Sequence, residues 1–588
     1  MGNAFKINLQ TKTVLALAIS LSFIAPTQAA DFTIESGSEV TDPQFLNNAN
    51  DVGVIEEGGE LNTSAAAITA SAINNRVTNK GSISTLNDNA HGIFSSGANA
   101  TISNQGSIST QGFEASGIYT DDKNATISNQ GSISTIGENA YGIRSFGNNA
   151  TISNEGSIAT AGEDAYGIFI RSDNATINNS GSIIAIGPGS AAIKSSGLDE
   201  ADTTLNLLPG SQIIGRIDLG FLDGPNKDTA NVYGGSVSAN LTFENTENIN
   251  LFGAGVRSGN NVITVDTTGE STRGVALAIM TSSIHSVIGQ RMAQTTPLKP
   301  VQLAALTLSQ GMYFKEHKPS AWAQVFGGKF DRDAEGSALA YDYDHVGMNF
   351  GYEWDVNQHR VGLMGGVVST DTQTQTSSFS SDSNNYYVGV YGNRKMNGFN
   401  ITGSLLTGNG DHENNRLVVD NLNGFEVAKS DFNSFFVSPS LTIASAYTVD
   451  DRLELRPSAN ISYSMAWLDG YSEQGTTNSN LTIDDRKAKA LTAKVQLAAA
   501  YALTTNSEFE FRVGMNARHT NDEDTKVGIA GSQFTFANAG DESVTGGFAG
   551  ASVRVVDENS LTLVADMEFG GNSDNDYVTG SVSLEYVF

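Results

Sequence analysis

"NATISNQGSIST" (Asn99–Thr110) is the stretch that decides the fold of the N-terminal half of this chain. It returns unchanged at Asn124–Thr135 and, with small changes, at Asn149–Thr160 and Asn174–Ala185. The glycine of its "GSI" element recurs every 25 residues, at Gly81, Gly106, Gly131, Gly156 and Gly181. A second landmark keeps the same phase, in "HGIF", "SGIY", "YGIR", "YGIF" and "AAIK", and Ala67–Ile68 also falls in phase. A fixed period of this size predicts a solenoid.

The content of each repeat predicts β-structure. The repeats are rich in Gly, Ser, Thr and Asn, and they lack the apolar stripe that a pair of packed helices needs. One unit offers three short extended pieces, "ATISN", "GSIST" and "SGIYT", separated by turn-forming residues. Their isoleucines, Ile102, Ile108 and Ile118, are expected to stack from coil to coil into one apolar column. This pattern predicts a parallel β-helix, in which each coil buries its apolar face only against its neighbours.

The asparagine of the recurring "NAT" tripeptide, such as Asn99, has two interpretations. Its side chain could form a ladder along a turn of the solenoid. Alternatively, asparagine is there because it tolerates the left-handed backbone conformation. The sequence leaves both open.

The N-terminus reads as a secretory signal over residues 1–29. Lys6 and Lys12 give a positive start, and "VLALAISLSFIA" (Val14–Ala25) is an apolar run too short for a membrane-spanning helix. Small residues follow, and cleavage is expected between Ala29 and Ala30.

The composition limits the kinds of partner and the cellular location that we expect for this chain. The 588 residues carry a formal net charge of −30, and an acidic surface repels phosphate backbones, so no nucleic-acid partner is expected. The chain has no cysteine. Because a crosslinked loop cannot thread through a narrow pore, this lack suits an exported chain that crosses a second membrane unfolded.

From about Ser320 onward the pattern changes to segments of roughly ten residues that alternate apolar and polar side chains. In "SEFEFRVGMNAR", Phe509, Phe511, Val513 and Met515 oppose charged and polar residues, and three further segments behave likewise. About twelve such strands fit before Phe588, which predicts an antiparallel transmembrane β-barrel. A soluble β-sandwich would also alternate, but its apolar face would be its core. Short turns on one side and long connections on the other, at Thr370–Asn384 and Asn521–Ser543, favour the membrane.

Two segments lie between the solenoid and the barrel. Gly210–Val256 lacks the clean period but stays β-like, as a cap of the solenoid or as irregular further coils. Ser271–Gln294 is the only convincing long helical pattern after the signal, and Ser271 or Thr272 could cap it. A helix of about twenty residues spans about 30 Å, which matches the thickness of a bilayer.

Together these features resemble the type V secreted autotransporters over essentially the whole length of the chain. The carriers of the resemblance are the signal, the repeated β-helix and the C-terminal alternating strands that end in "SVSLEYVF". The implied fold is all-β: a right-handed parallel β-helix as passenger and a 12-stranded antiparallel barrel as translocator, with a central pore helix. The predicted division is a signal peptide at 1–29, the passenger at 30–209, a cap or autochaperone-like region at 210–270, a linker helix at 271–294 and the barrel at 320–588.

The resemblance also implies partners. In that family the terminal strand, here Val582, Leu584, Tyr586 and Phe588, is read by the outer-membrane barrel-assembly machinery. The other expected partners are the lipid bilayer, the inner-membrane secretion machinery, periplasmic chaperones and an unknown surface ligand or sister passenger. Some members cut themselves at an Asn–Asn peptide inside the helix. Residues 273–293 contain no asparagine, so the passenger is expected to stay attached.

The β-helical region contains one histidine, His91, that could act as the general base of an active site. It occupies the position held by Ser116, Tyr141 and Tyr166 in the next repeats, so a variant of a repeat position is the preferred interpretation. No G-x-S-x-G or H-E-x-x-H motif is present. The remaining histidines are spread over the helix and the barrel, which argues against a metal site. Neither an enzyme nor a cofactor is expected.

The predicted function is therefore an outer-membrane autotransporter that displays its own passenger on the bacterial surface, for adhesion or self-association. Two alternatives stay open at this stage. One is a surface-displayed hydrolase with a divergent site, and the other is a plain outer-membrane pore.

Overall fold

The computed structural model describes residues 31–196, 202–220, 227–293, 319–334, 338–356, 359–537, 543–557, 560–572 and 575–588. The predicted signal peptide and its cleavage site, Ala29 and Ala30, lie outside these residues. The described chain forms a parallel β-helix, one long helix and a closed barrel, which confirms the predicted all-β fold class.

The described residues of the β-helix and of the hairpin that follows it contain 29 strands. In chain order they are β1 Phe32–Ile34, β2 Glu39–Val40, β3 Gln44–Leu46, β4 Val52–Ile55, β5 Glu60–Thr63, β6 Ile68–Ala70, β7 Arg76–Asn79, β8 Ser82–Thr85, β9 Ile93–Ser95, β10 Thr101–Asn104, β11 Ser107–Thr110, β12 Ile118–Thr120, β13 Thr126–Asn129, β14 Ser132–Thr135, β15 Ile143–Ser145, β16 Thr151–Asn154, β17 Ser157–Thr160, β18 Ile168–Ile170, β19 Thr176–Asn179, β20 Ser182–Ala185, β21 Ala191–Ser195, β22 Thr204–Leu207, β23 Gln212–Ile214, β24 Arg216–Asp218, β25 Thr229–Tyr233, β26 Ala239–Glu244, β27 Asn248–Phe252, β28 Gly255–Ser258 and β29 Asn261–Thr264.

Each 25-residue unit supplies one strand to each of three parallel faces, as the three extended pieces predict. On the first face β10 pairs with β13 so that Ile102 lies beside Ile127, and on the second face Ile108 lies beside Ile133. On the third face Ile118 lies beside Ile143. All these isoleucines are buried, and they form one continuous core along the rod. The stacking follows directly from the period, because residues 25 apart occupy equivalent positions in neighbouring coils.

Two columns of asparagine run along the repeated coils, and a third continues from Asn178 to Asn250. The "NAT" asparagines have positive φ, for example 60° at Asn124, and they also form a ladder in which Asn124 Nδ2 donates to Asn99 Oδ1 at 2.9 Å. Both interpretations of this residue therefore hold. A second ladder, inside the rod, was not predicted: Asn104 Nδ2 donates to Asn129 Oδ1 at 2.7 Å, and Asn129 Nδ2 donates in turn to Asn154 Oδ1 at 2.7 Å. Because the amides inside the column, at Asn104, Asn129 and Asn154, are bonded on both sides, these side chains can be fully buried.

The repeated "GSI" glycines lie where successive coils approach most closely. A Cβ atom on Gly131 would lie 1.9 Å from the carbonyl oxygen of Gly106, and one on Gly106 would lie 2.0 Å from that of Gly81. No side chain fits at that distance. Glycine therefore recurs every 25 residues because neighbouring coils leave no room for a side chain at this position.

The β-helix continues past residue 209 into the segment predicted as its cap. Strands β22, β25 and β27 extend the first face, and Phe243 of β26 lies beside Ile217 of β24 on the third face. Strands β28 and β29 then form an antiparallel hairpin, and β29 also pairs with β26. The segment thus consists of less regular coils that a hairpin closes.

Two helices follow, α1 at Thr268–Ser271 and α2 at Arg273–Ala293. The predicted helix begins three residues earlier than expected, at α1, and Thr267 lies at its N-cap without a capping hydrogen bond from its side chain. In the described part of the chain, neither helix is both long enough and apolar enough to cross a membrane.

The C-terminal part contains the strands β30 Ser320–Arg332, β31 Tyr341–Val356, β32 His359–Thr374, β33 Phe379–Met396, β34 Phe399–Asp420, β35 Gly424–Ser445, β36 Tyr447–Thr448, β37 Leu453–Leu468, β38 Tyr471–Ser472, β39 Thr482–Ile483, β40 Arg486–Thr504, β41 Ser507–Thr520, β42 Thr525–Ile529, β43 Ser532–Phe536, β44 Ser543–Val556, β45 Leu561–Gly571 and β46 Asn575–Val587. Twelve of them form the barrel, each antiparallel to the next, and β30 pairs with β46 to close it. The predicted strand number is confirmed.

The outer wall of the barrel is apolar, whereas the inner wall carries polar and charged side chains together with one apolar cluster. Phe511 and Met515 of β41 point outward and are 48% and 61% exposed, whereas Arg512 between them is buried inside. The last strand likewise exposes Val582 and Leu584. A soluble sandwich would bury such a face, so a belt of exposed apolar side chains around a closed sheet indicates contact with lipid.

One predicted connection is wrong. Thr370–Asn384 was expected to be a long polar loop, but β32 runs to Thr374 and β33 begins at Phe379, so only four residues make the turn. The segment is polar on both faces because it lies beyond the apolar belt. The other expected loop, Asn521–Ser543, is indeed long and folds into a small sheet with β38 and β39.

The buried ladder gives a first prediction. Asn129→Ala removes the amide that bonds Asn104 and Asn154, which leaves a buried polar atom on each side without this partner. Since a buried polar group without a partner costs about 1–3 kcal/mol, we expect the β-helix to unfold at a clearly lower temperature. The measurement is thermal unfolding of the full-length protein in detergent, followed by circular dichroism.

The control is Ser128→Ala, the next residue along the same strand, whose side chain points outward. The two variants differ in whether a buried hydrogen bond is lost. Equal unfolding temperatures for them would contradict a stabilising role of the ladder.

Candidate functional site

The helix α2 occupies the lumen of the barrel. His285 lies in its middle and bonds to two different strands, with Nδ1 2.9 Å from Ser404 Oγ and Nε2 2.8 Å from Ser438 Oγ. On other sides of the helix, Ser283 Oγ lies 3.2 Å from His345 Nε2 and Gln290 Nε2 lies 3.4 Å from Asp566 Oδ1. A helix that contacts strands on all sides must be surrounded by the barrel wall.

Apolar contacts fix the helix against one side of this wall. Met280, Ile284 and Ile288 are buried and pack in one cluster with residues of the wall such as Trp322 and Phe436. On the opposite side, a cavity of about 560 Å³ remains beside Ser282 and Ser286 of the helix. Charged side chains of the wall line it, among them Arg456, Lys494, Glu510, Arg512 and Glu568. The helix thus fills only part of the cross-section.

A charged cluster clamps the C-terminal end of the helix, at the end of the barrel far from the β-helix. Arg291 Nε lies 3.0 Å from Glu353 Oε1, and Arg291 Nη2 lies 3.3 Å from Glu585 Oε1. Arg360 pairs with the same two carboxylates, and the guanidinium of Arg291 also lies 4.5 Å from the ring centre of Trp322. Because the charges are buried together, removing one leaves the others without full compensation.

A second cluster holds the start of the helix at the end near the β-helix. Arg273 donates to Ser381 Oγ at 2.9 Å and to Asn414 Oδ1 at 3.0 Å, and the backbone N–H of Gly274 donates to Asp522 Oδ2 at 2.9 Å. Glu270 of α1 pairs with Arg486 of the wall and accepts a hydrogen bond from Tyr471. The two clusters anchor the two ends of the segment that passes through the lumen.

The last coils of the β-helix rest directly on the barrel. Strand β26 pairs in parallel with the end of β34, so that Asn240 lies beside Asp420, and Asn240 Nδ2 donates to the Asp420 carboxylate at 2.6 Å. Val419 of β34 is fully buried and belongs to the core of the β-helix. The barrel therefore supplies part of the closure of the solenoid.

Asn421 is the central residue of this junction. Its Nδ2 donates to the carbonyl oxygens of Gly215 and Thr242 at 3.2 and 3.1 Å, and its Oδ1 accepts from the Thr242 N–H at 2.9 Å. Its own carbonyl oxygen accepts from the Gly215 N–H at 2.7 Å. One side chain thereby bonds backbone groups of β26 and of the turn between β23 and β24.

The terminal residues that the resemblance singled out lie on one face of β46. Val582, Leu584 and Tyr586 point outward from the barrel, and Phe588 follows the end of the strand. The backbone N–H of Phe588 donates to the Pro319 carbonyl at 2.9 Å, and its ring lies 6.2 Å from that of Tyr352. Their recognition by an assembly machinery stays a prediction.

His91 lies on the outside of the third face of the β-helix. Its Nδ1 accepts a hydrogen bond from the Ser116 backbone N–H at 3.0 Å, and its ring packs 5.1 Å from that of Tyr119. Burial, and then the nearby Arg144 charge, lower the pKa of this imidazole to about 4. The geometry is that of a packed residue in a repeat position. No group of three or more His, Cys, Asp or Glu that could hold a metal occurs among the described residues.

Sequence reasoning missed the clamp around Glu353 and the junction around Asn421. In both, the partners lie far apart in the chain, by 62 residues for Arg291 and Glu353 and by 179 for Thr242 and Asn421. The sequence does show charged residues on the polar face of the alternating strands, which indicates that they face the lumen. It does not indicate which of these residues contact each other.

Comparison with known proteins agrees with this architecture. Residues 321–568 match the family described as the autotransporter beta-domain, and residues 47–207 match the family described as the BigA third pectate lyase-like domain. None of the curated proteins compared with the chain matches it. The barrel at 321–568 is therefore an autotransporter β-domain, and the β-helix is the passenger that it carries.

Several solved structures are similar to parts of the chain. The translocator domain of the autotransporter NalP from Neisseria meningitidis covers 53% of this chain and 99% of its own, with 13% identity and a TM-score of 0.40. The beta domain of the Bordetella autotransporter BrkA covers 46% and 100%, with 14% identity and a TM-score of 0.35. The transport unit of AIDA-I from Escherichia coli covers 52% and 99%, with 14% identity and a TM-score of 0.31.

The clamp predicts a change in conductance. Arg291→Ala removes the helix's ion-pair partner of Glu353, which is buried, and of Glu585, which is partly buried. Since breaking a buried ion pair costs about 3–5 kcal/mol, this change is expected to loosen the end of the helix. We expect the full-length protein in planar lipid bilayers to show a severalfold higher mean conductance. Arg452→Ala, at an exposed turn of the barrel, is the control. If Arg291→Ala leaves the conductance unchanged, the charged cluster around Glu353 does not hold the helix α2 in the lumen.

The junction predicts a local change in stability. Asn421→Ala removes three hydrogen bonds to the passenger backbone, so the last coils should open more often and become sensitive to protease on intact cells. Asn423→Ala, two residues away in the same turn with an exposed side chain, is the control. In both variants the barrel should still migrate as a folded protein on gels when the sample is not heated. Equal protease sensitivity of the two variants would contradict the role of Asn421.

The buried imidazole of His91 predicts that the stability of the passenger depends on pH. In the unfolded chain its pKa returns to about 6.5, so between about pH 6.5 and 4 the unfolded state binds a proton that the folded state does not. The contribution of His91 to stability is thus present above this window and lost as the pH falls through it. We expect the unfolding temperature of the passenger to drop between pH 7.5 and pH 4.5 by less in His91→Gln than in the wild type.

The comparison of the two proteins is needed because Asp228 acts in the opposite direction. Burial raises the pKa of its carboxyl to about 7, so its contribution is lost as the pH rises. Both proteins share this effect, and their difference isolates His91. An equal drop in the two would contradict the prediction.

Proposed function

We propose that this chain, an outer-membrane autotransporter whose barrel exports and anchors its own β-helical passenger, uses the passenger for adhesion or self-association at the cell surface. The observation that carries the proposal is the rigid attachment of a repetitive rod to the barrel through β26, β34 and Asn421. The rod presents equivalent side chains once per coil, and such a surface suits a repetitive partner. A rod fixed at its base also transmits force from a bound partner to the membrane.

The passenger is proposed to stay attached and to act without catalysis. The linker helix contains no asparagine between residues 273 and 293, and charged clusters hold both of its ends. His91 is packed against Tyr119 and accepts a backbone hydrogen bond, an arrangement in which it serves no nucleophile. In this proposal the inner-membrane secretion machinery, periplasmic chaperones and the barrel-assembly machinery are partners of export only, the last of them reading the strand that ends in Phe588.

A surface-displayed enzyme is the second candidate. It is favoured by the match of residues 47–207 to a family described as pectate lyase-like. A plain pore is disfavoured because the anchored helix lies in the lumen.

The test compares cells that display the full chain with cells that display a chain lacking residues 31–210. This deletion removes the repeated coils and keeps the strands that touch the barrel. We expect the loss of cell aggregation or of binding to surfaces, with equal amounts of barrel in the outer membrane. Adhesion that persists without residues 31–210 would refute the proposal. Cleavage of polygalacturonate by intact cells, lost in the deletion, would favour the enzyme.

A further inference from the structure

The third face of the passenger differs from the other two in its outward side chains. In the middle coils, where β10, β13 and β16 form the first face and β11, β14 and β17 the second, these positions hold small residues, such as Thr101 and Ser103 in β10 and Ser107 and Ser109 in β11. On the third face, β9, β12, β15 and β18 instead present Phe94, Tyr119, Arg144 and Phe169. Since the same coils fold with Ser and Thr on their other faces, folding does not require large rings here.

The rings form a continuous surface that we name the aromatic face. It consists of the outward residues of the third face and of the turns on both of its sides: His91, Phe94, Tyr119, Tyr141, Arg144, Phe146, Tyr166, Phe169 and Arg171. Neighbouring ring centres are 5.0–5.9 Å apart, and Tyr141 and Tyr166 are parallel to within 2°. Coils in a sheet are spaced by about 4.8 Å, so the aromatic face repeats along the rod at that interval.

Two guanidinium groups lie within this face without a carboxylate partner. Arg144 lies over the rings of Tyr119 and Phe146 at 4.7 and 4.5 Å, and Arg171 lies over Phe146 at 5.7 Å. Neither takes part in an ion pair among the described residues, although the chain is strongly acidic. In the next two coils Lys194 and Arg216 do find carboxylates, at Asp218 and Glu244.

Carboxylates border the same face. Asp121 and Asp164 are exposed, and Glu114 is half-buried beside Tyr141. The face thus combines ring surfaces, guanidinium donors and carboxylate acceptors in a row. Hydroxyl groups both donate and accept, and the apolar side of a sugar ring packs on aromatic carbon, so this combination matches a chain of sugars.

We propose that the aromatic face binds a linear, uncharged polysaccharide that lies along the rod, with roughly one sugar unit over each coil. This inference deepens the proposed adhesive function and rests on it. An uncharged polymer meets no repulsion from the acidic rod, whereas a second copy of the passenger would bring the same net negative charge. Arg144 and Arg171 act as donors to hydroxyl oxygens, and the rings supply the contact area.

The test uses intact cells that display the full chain and three fluorescent probes: hydroxyethylcellulose and dextran, which are uncharged, and polygalacturonate, which is acidic. We expect at least one uncharged polymer to bind, with little change between 0.05 and 0.5 M salt because no charge pairing is involved. The variant Tyr119→Ala/Tyr141→Ala should lower this binding at least tenfold. Arg144→Gln, which leaves the tyrosine rings in place, should lower it about threefold or more.

The control carries Ile136→Ser and Ile186→Ser, two exposed apolar residues in another column of the same rod, two coils apart. It removes apolar surface of the same rod and should bind as the wild type does. Surface display and protease resistance are measured for every variant, and Arg144→Gln keeps the test decisive if the double tyrosine variant fails to fold.

Three results would overturn the inference: no binding of either uncharged polymer, salt-sensitive binding of polygalacturonate alone, or equal binding by wild type and by Arg144→Gln. Loss of cell aggregation in the tyrosine variant without any polymer binding would assign the face to a second copy instead. These failures differ from failure of the proposed function, in which cells lacking residues 31–210 adhere as well as the wild type.

Discussion

The structure depends on the need to pair every backbone N–H and C=O group within a bilayer. A sheet with a free edge leaves such groups without partners in hydrocarbon, so the twelve strands are stable there only when β30 pairs with β46. Closure in turn creates a lumen that is lined by charged and polar side chains on one side of the helix and by an apolar cluster on the other. The linker helix is held in that lumen by an ion pair with Glu353 at its C-terminal end and by a hydrogen bond from the Gly274 backbone N–H to Asp522 at its start.

The passenger solves the same problem of sheet edges in another way. Each coil pairs with the coil before and the coil after it, so only the two end coils have free edges. At the barrel end, Val419 completes the apolar core and Asn421 bonds the free backbone groups of the last coils. The barrel thus continues the hydrogen bonding of the rod, and β34 is long enough for both tasks with 22 residues, where about 9–11 span a membrane.

Much of this architecture could be predicted, because two periods in the sequence report local geometry. The 25-residue period follows from steric contact at glycines such as Gly131, and the alternation in β41 follows from lipid on one side and water on the other. Prediction failed at Thr370–Asn384 because the outward side chains and most of the buried inward ones, such as Ser378 and Ser381, are polar, so that the alternation of apolar and polar residues disappears. It also failed at Asn421 and Arg291, because the choice of a distant partner leaves no periodic trace in one sequence. The inner ladder through Asn129 was visible as a repeated residue, but its burial was not, since asparagine is usually exposed.

The structures of the two ends of the rod limit the places where a partner can bind. Among the described residues, the free end is formed by β1, β2 and β3, which are only two or three residues long and are accompanied by Glu35, Glu39 and Asp42. Short strands with acidic neighbours discourage edge-to-edge pairing, so end-to-end growth of the rod is disfavoured. The opposite end is occupied by the barrel. Recognition is thereby directed to the sides of the rod. In the two coils that contain β12 and β15, only the face with Tyr119 and Arg144 carries large outward side chains.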